Sequence, residues 1–150
     1  MTGRVDPDRA SRVCLALIRV GTRLAFSFDQ GFAAQRLTQA QFRLLIAVAN
    51  LTDTPRATPS GVADALFIER ATVSGLLKRL IARRLLTRHR AGDGRSYRVA
   101  LTAAGWATLQ RNKPHAIAAA NDAMRGVTRA ELAALERHLE KIERHLRSIT

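Results

Sequence analysis

The segment Glu69–Leu101 constrains the fold of this chain more than any other part of the sequence. Its first half repeats apolar residues at helical spacing, which predicts an amphipathic helix. The apolar face of that helix consists of Val73, Leu76, Leu77 and Leu80. The opposite face carries short polar side chains and positive charge, so it can enter a groove and attract an anion there. That face consists of Thr72, Ser74, Gly75, Lys78 and Arg79.

The second half of the same segment predicts two short strands, Leu86–Arg90 and Tyr97–Leu101, joined by a turn. Both Gly92 and Gly94 in the turn can adopt the positive φ that a tight hairpin requires. From position 69 to position 98 the sequence has nine Lys or Arg residues against two acidic ones. A helix followed directly by a basic hairpin predicts a DNA-reading helix with a wing beside it.

The charge of the whole chain supports a polyanionic partner. The 150 residues include 25 basic and 12 acidic ones, which gives a formal net charge of +13. Positive charge of this size gains free energy by displacing the counterions condensed on nucleic acid. We favour double-stranded DNA over a merely solvated basic surface, because the charge is clustered on one helix and one hairpin.

Other classes of protein fit the sequence poorly. The four histidines lie far apart in the sequence, and no glycine-rich phosphate loop is present, so we expect no enzyme, no metal and no cofactor. The single cysteine, Cys14, excludes an intramolecular disulfide framework. We expect a cytoplasmic protein without a signal peptide or a membrane span, because the first residues are polar and no apolar run approaches twenty residues.

The two ends of the chain predict helices with more apolar surface than one small chain buries. The first helix, from Asp8 to about Phe32, is apolar around more than half its circumference, and Gly31 is expected to end it. Near the C-terminus a heptad-like seam follows the capping-box sequence Thr128-x-x-Glu131. The seam consists of Leu132, Leu135, Leu139, Ile142, Leu146 and Ile149. We favour a bundle between subunits, although packing within one subunit stays open.

Between these helices the sequence has the helix-start signals that are typical of a helix-turn-helix. Thr38-x-x-Gln41 predicts a capping box, and Thr58-Pro59 predicts a cap followed by a first-turn proline. The short helix that follows turns near Phe67 into the amphipathic helix described above. After the hairpin, the segment 102–105 is expected to cap another helix, which Pro114 is expected to kink or redirect.

The sequence is similar to the multiple antibiotic resistance regulator (MarR) family. The likeness begins in the helix-turn-helix, at 66–74 (LFIERATVS), 76–80 (LLKRL) and 85–88 (LLTR). Its most specific part is the wing, where Asp93-Gly94-Arg95 is followed by 99–105 (VALTAAG). The order of the predicted elements fits as well, so the resemblance covers nearly the whole chain.

The resemblance implies a mostly α-helical fold and a function in transcription. The fold is a winged helix-turn-helix with N- and C-terminal helices forming a dimerisation bundle. A single domain would span residues 1–150, with dimerisation helices at about 8–37 and 103–150 and the winged helix-turn-helix at about 38–102. The implied function is that of a homodimeric repressor that binds a pseudo-palindromic operator and is released by a ligand or an oxidant.

The resemblance also implies which residues contact DNA. The recognition helix would read the major groove through Thr72, Ser74, Lys78 and Arg79. Arg95 would enter the minor groove, oriented by an ion pair with Asp93. Further basic residues of the wing complete the expected interface: Arg88, Arg90 and Arg98.

Two positions depart from the family pattern. Gly75 stands where the family often has a longer polar residue, which removes a possible base contact. Arg84 stands where glycine is usual after the helix, so a non-glycine residue is expected in the left-handed αL conformation.

Three further interpretations concern regulation and partners. Arg19 and Arg23, one turn apart on the first helix, are candidates to bind the carboxylate of a small aromatic or phenolic effector. Cys14 is a candidate peroxide sensor, because some family members sense hydroperoxides through a cysteine in the first helix. We favour a buried packing role for it, since its neighbours are apolar. A winged-helix module that binds protein instead of DNA would predict a less basic helix and wing.

Overall fold

The computed structural model describes residues 7–92 and 94–149, without the side chain of Pro7. This part of the chain contains six α-helices, one short 3₁₀ helix and one hairpin of two strands. In chain order these elements are α1 (Pro7–Phe32), the 3₁₀ helix (Ala33–Gln35), α2 (Gln39–Leu51), α3 (Pro59–Leu66), α4 (Arg70–Ala82), β1 (Leu86–Arg90), β2 (Tyr97–Leu101), α5 (Ala103–Ala123) and α6 (Arg129–Ile149). The mostly helical fold with a basic hairpin after α4 is therefore confirmed.

The chain divides into two compact units, with the boundary in the sequence between Ala119 and Ala120. The first unit contains α1 to α4, the hairpin and most of α5. The second contains the end of α5 and the whole of α6. No helix in the described part of the chain is both long enough and apolar enough to cross a membrane.

The predicted helix starts are confirmed at atomic level. The Thr38 hydroxyl accepts a hydrogen bond from the backbone N–H of Gln41, and the Gln41 side chain accepts one from the Thr38 N–H, each at 3.1 Å. At α3 the Thr58 hydroxyl accepts from the Gly61 N–H at 3.1 Å, with Pro59 in the first turn. These contacts satisfy backbone donors that a helix start otherwise leaves without a partner.

The ends of three segments use left-handed residues that are not glycine. Phe67, between α3 and α4, has φ of 53°, and Arg84, after α4, has φ of 57°. The prediction of an αL conformation at Arg84 is thus confirmed. The predicted bounds of α1, Asp8 to about Phe32, are confirmed, although Gly31 lies inside the helix and does not end it; the left-handed residue that follows is Arg36, with φ of 53°.

One apolar core holds the first unit together. Its fully buried side chains come from the end of α1, the three helices that follow and both strands. They include Phe32, Leu44, Leu45, Val48, Val62, Val73, Leu77, Leu80, Leu86 and Val99. This core fixes α4 between α3 and the hairpin. Because the apolar face of α4 is packed in the core, the opposite face of α4 is held towards solvent.

Helix α5 continues through Pro114, which lies inside it. A proline within a helix removes one N–H donor and its ring clashes with the carbonyl group four residues earlier, so the kink expected at Pro114 stays a prediction. At the start of α6 the second predicted capping box is confirmed. The Thr128 N–H donates to Glu131 Oε2 at 2.8 Å, and the Glu131 N–H donates to Thr128 Oγ1 at 3.3 Å.

The apolar seam of α6 is accessible along its length. Its six leucine and isoleucine side chains are between 37% and 67% exposed, and none of the residues of α6 is buried. On α1 several large apolar side chains are also exposed: Val13, Leu15, Ile18, Val20 and Phe26. Cys14 is exposed beside them in the single chain. Because α1 is expected to be covered by another subunit, the packing role of this cysteine stays a prediction.

Candidate nucleic-acid interface

Helix α4 separates its apolar and polar residues onto two faces. Val73, Leu77 and Leu80 are fully buried in the core. The four residues predicted to read the major groove are all exposed: Thr72, Ser74, Lys78 and Arg79. Lys78 and Arg79 form no ion pair within the described part of the chain, so their charges are available to an external anion.

The hairpin is attached to the segment after α4 through two neighbouring carbonyl groups. The Thr102 N–H donates to the Leu85 oxygen at 3.1 Å, and the Thr102 hydroxyl lies 2.7 Å from the Arg84 oxygen and 3.2 Å from the Leu85 oxygen. The same hydroxyl accepts from the Gly105 N–H at 3.0 Å, and so caps α5. A Cβ on Gly105 would lie 2.1 Å from the Leu85 oxygen, which explains why this position is glycine. Thr102 and Gly105 thus close the base of the wing.

The pairing of β1 with β2 sorts the basic residues of the wing onto two faces. Residues directly opposite include Arg90 with Tyr97 and His89 with Arg98. Because side chains alternate along a strand, Arg88 and Arg90 share one face with Tyr97, while Arg98 projects from the other. The Arg88 guanidinium lies 5.3 Å from the centre of the Tyr97 ring, a cation–π distance.

The loop between α2 and α3 supports the outer edge of β2. The Val99 N–H donates to the carbonyl oxygen of Ala57 at 2.9 Å, and Arg98 Nη1 lies 3.5 Å from the oxygen of Thr54. These two contacts hold the wing against the helix-turn-helix on the side away from β1. The wing is therefore fixed along both of its strands.

The tip of the wing is a six-residue connection. The Ala91 N–H donates to the Ser96 oxygen and the Gly94 N–H to the Ala91 oxygen, each at 2.9 Å. Of the two glycines expected to adopt positive φ, only Gly94 does so, with φ of 69°. Arg95 is exposed at this tip. Asp93 lies outside the described residues, so its ion pair with Arg95 stays a prediction.

An open cleft lies between α2 and α3, and no pattern in the sequence predicts it. Its volume is about 330 Å³. It is lined by Arg43, Ile46, Ala47, Asn50, Leu51, Ala65 and Leu66. Arg43 Nη2 lies 3.4 Å from the carbonyl oxygen of Leu66, the last residue of α3. The lining is mostly apolar, with one guanidinium and one side-chain amide.

Arg19 and Arg23, the residues predicted to bind an effector, are exposed on α1. Neither belongs to the lining of the α2–α3 cleft. Their role as effector ligands stays a prediction.

Comparisons with known proteins agree with this geometry. A model of the MarR family matches residues 37–96, from just before α2 to the end of the wing tip. BpsR from Bordetella bronchiseptica is 32% identical in sequence to this chain. Its solved structure concerns how 6-hydroxynicotinic acid regulates its DNA binding. The match covers 88% of this chain and 98% of BpsR, with a TM-score of 0.78.

The chain belongs to the MarR family. It is a DNA-binding transcriptional regulator of that family, and its winged helix-turn-helix is the part that the family model matches. No curated protein sequence matches it.

Two more distant MarR proteins share the fold. AbsC from Streptomyces coelicolor is 21% identical, covering 97% of this chain and 99% of AbsC with a TM-score of 0.80. A mutant MarR from E. coli in complex with operator DNA is 19% identical, covering 93% of this chain and 99% of that protein, with a TM-score of 0.79.

Proposed function

We propose that this MarR-family protein is a homodimeric repressor that binds a pseudo-palindromic operator and releases it when a small aromatic acid binds. The observation that carries the proposal is the exposed polar face of α4, fixed beside a basic wing. Thr72, Ser74, Lys78 and Arg79 would contact base edges and phosphates in the major groove. The wing residues Arg88, Arg90, Arg95 and Arg98 would contact the backbone and the adjacent minor groove.

The DNA-binding part of the proposal is tested by fluorescence anisotropy with labelled promoter fragments. We expect one fragment to bind much more tightly than the others, because base contacts add to the phosphate contacts. The logarithm of the binding constant should fall linearly with the logarithm of the salt concentration, with a slope of about −0.9 for each neutralised phosphate. Binding that does not depend on salt, or that shows no preference among fragments, would favour a protein-interaction module instead.

Assembly as a homodimer is supported by the exposed seam of α6 and the exposed apolar residues of α1. Water contact with six large aliphatic side chains in one row is unfavourable, and a second copy would remove that contact. A two-fold symmetric dimer would present two α4 helices to half-sites about one helical turn apart. The symmetry of the operator would then follow from the symmetry of the protein.

Sedimentation velocity tests the dimer with two substitutions on neighbouring positions of α6. Leu139→Lys places a charge in the seam and should shift the population towards monomer. His138→Lys introduces the same side chain one position away, outside the seam, and should leave the dimer intact. Removal of residues 128–150 should also abolish the dimer. A folded dimer in Leu139→Lys and in the truncated chain would contradict this assignment.

The effector would bind in the α2–α3 cleft. BpsR, whose DNA binding is regulated by an aromatic carboxylic acid, is similar over most of this chain. Arg43 can form two parallel hydrogen bonds with a carboxylate, and Asn50 can pair with a ring hydroxyl or carbonyl. The apolar lining from Ile46, Leu51 and Leu66 would cover the ring.

The position of Arg43 suggests how binding would reach the DNA-reading helix. Its guanidinium lies against the Leu66 oxygen, at the end of α3. A carboxylate that draws Arg43 away would leave this carbonyl without that donor. Because Phe67 turns the chain from α3 into α4, a change at Leu66 would alter the angle at which α4 meets DNA.

Release of a bound promoter fragment by 6-hydroxynicotinic acid tests this site. Arg43→Gln should need at least about tenfold more acid for release, as expected for loss of a charged hydrogen bond. Because this variant also removes the guanidinium from the Leu66 oxygen, its DNA affinity without acid should already be lower than that of the unsubstituted protein. The matched control is the double variant Arg19→Gln and Arg23→Gln, which leaves the cleft intact. If the double variant loses its response and Arg43→Gln keeps it, the effector site is on α1.

A further inference from the structure

The winged helix-turn-helix contains two glycines that its own packing requires. A Cβ on Gly61 would lie 1.9 Å from the carbonyl oxygen of Arg56, and one on Gly105 would lie 2.1 Å from that of Leu85. Real Cβ atoms do not approach a carbonyl oxygen so closely, so both positions exclude any side chain. The reason for glycine at these two positions lies inside the fold.

Gly75 differs from these two glycines because no neighbouring element in the described residues excludes a side chain there. It lies in the middle of α4, and apart from its chain neighbours and the backbone of its own helix, a Cβ at this position would meet no heavy atom within 4 Å. Glycine in a helix interior lowers the stability of the helix relative to alanine. The fold of this chain therefore gains nothing from Gly75.

The position of Gly75 on the helix indicates what its missing side chain permits. Residues three and four positions away lie on the same face of a helix. For Gly75 these are Ala71, Thr72, Lys78 and Arg79, and all four are exposed. Open space alone does not single out Gly75, since Gly21 on α1 is equally open. Gly75 is distinguished by its place at the centre of the face that the proposed function directs towards DNA.

We infer that Gly75 sets the distance between α4 and the floor of the major groove, and that a side chain at this position opposes binding. The inference rests on the proposed function, since it concerns the same DNA-reading face. Without a Cβ at its centre, this face lets the helix backbone lie against base edges. Short neighbours such as Thr72 and Ser74 then reach hydrogen-bonding distance, which they could not do from a helix held further out.

A different effect of Gly75 is possible on chemical grounds, and it predicts the opposite sign. If glycine only leaves out a base contact, then a longer polar residue would add one and raise affinity. If glycine permits close approach, then every side chain lowers affinity, whatever its polarity. Alanine and glutamine at position 75 separate the two cases.

The experiment compares Gly75→Ala and Gly75→Gln with the unsubstituted protein by anisotropy, on the promoter fragment that binds most tightly. We expect Gly75→Ala to bind at least about fivefold more weakly and Gly75→Gln more weakly still, because contacts of Thr72 and Ser74 are lost. The melting temperature of Gly75→Ala should rise by about 2–4 °C, so weaker binding cannot be attributed to unfolding.

Salt dependence provides the matched control. Gly75→Ala removes no charge, so the slope of the logarithm of affinity against that of salt should stay unchanged. Lys78→Ala, one turn away on the same face, should reduce the slope by about 1. Gly75→Ala binding as tightly as the unsubstituted protein, or Gly75→Gln binding more tightly, would overturn the inference. If the unsubstituted protein prefers no fragment, the proposed function itself fails, and this inference fails with it.

Discussion

The guanidinium of Arg83 donates a hydrogen bond of 2.7 Å to the carbonyl oxygen of Arg36, across 47 positions of the sequence. Arg83 follows the last residue of α4, and Arg36 is the left-handed residue between α1 and α2. The same guanidinium nitrogen lies 3.5 Å from the side-chain oxygen of Gln41, which completes the capping box of α2. The end of the reading helix is thus joined to the connection that leads out of α1.

Loss of this contact should destabilise the chain moderately. We expect Arg83→Ala to lower the free energy of unfolding by about 1 kcal/mol, because an exposed carbonyl oxygen can recover a bond to water. Urea denaturation followed by circular dichroism measures the change. Arg56→Ala is the control, since the structure describes no hydrogen bond or ion pair of that exposed side chain. Equal stability of the two variants would show that the contact contributes nothing.

The close approach of Gly105 to Leu85 predicts a larger effect. Gly105→Ala would bring a methyl group against the Leu85 oxygen, and the backbone at the base of the wing would have to shift. We expect a loss of about 1–3 kcal/mol in the free energy of unfolding, typical of overpacking. Thermal unfolding of Gly75→Ala, an alanine at an open helical position, is the matched comparison and should show a gain. A neutral Gly105→Ala would mean that the wing base is not rigid.

The wing tip predicts a loss of affinity without a loss of stability. Arg95→Ala should weaken operator binding by about 1–3 kcal/mol and reduce the preference for A·T pairs, because a guanidinium is favoured in a narrow minor groove. Competition binding with A·T- and G·C-rich flanks measures both effects. Arg137→Ala removes the same charge from α6 and should change affinity far less. Normal binding by Arg95→Ala, or its unfolding, would refute a role in the groove.

The capping box at α6 predicts a pH dependence. Hydrogen bonds from the backbone and side chain of Thr128 lower the pKa of Glu131 below its ordinary value of 4.5. The ionised carboxylate therefore stabilises the folded state above that ordinary value, and this contribution is lost as the pH falls through the lowered pKa. Stability measured from pH 6 to pH 2 should decline less steeply in Glu131→Gln. An unchanged pH profile would show that the box contributes no proton linkage.

Substitution of the exposed Cys14 distinguishes release of DNA by a ligand from release of DNA by oxidation. We expect Cys14→Ser to keep operator binding and release by the aromatic acid unchanged, since the proposed cleft does not include this residue. DNA release by cumene hydroperoxide should be equally weak in both proteins. If peroxide releases DNA from the unsubstituted protein and not from Cys14→Ser, the thiol is a sensor and the alternative interpretation is correct.

Sequence reasoning succeeded where the determining interactions are local. Both capping boxes join residues three positions apart, as at Thr38 and Gln41, so their chemistry is visible in the sequence itself. The bounds of β1 and β2 follow from alternating side chains and a polar turn. The left-handed conformation of Arg84 is expected from the family resemblance, in which glycine is usual at this position. The capping boxes and the hairpin each join residues of one short stretch of the sequence.

Sequence reasoning failed where contacts between distant parts of the chain determine the structure. The α2–α3 cleft depends on how two helices cross, and the contact of Arg43 with Leu66 spans 23 positions. The link from Arg83 to Arg36 has no sequence signature, because any exposed arginine at the end of a helix would look the same.

The attachment of the wing at Leu85 and Thr102 has a consequence for how such a protein diversifies. The contacts described above between the hairpin and the rest of the protein lie at its base or along its strands, whereas the connection between Ala91 and Ser96 is a surface loop. Surface loops tolerate changes of length and composition that packed segments do not. The tip can therefore be exchanged as an independent module, so new operator preferences could evolve there without any cost to the stability of the helices that carry it.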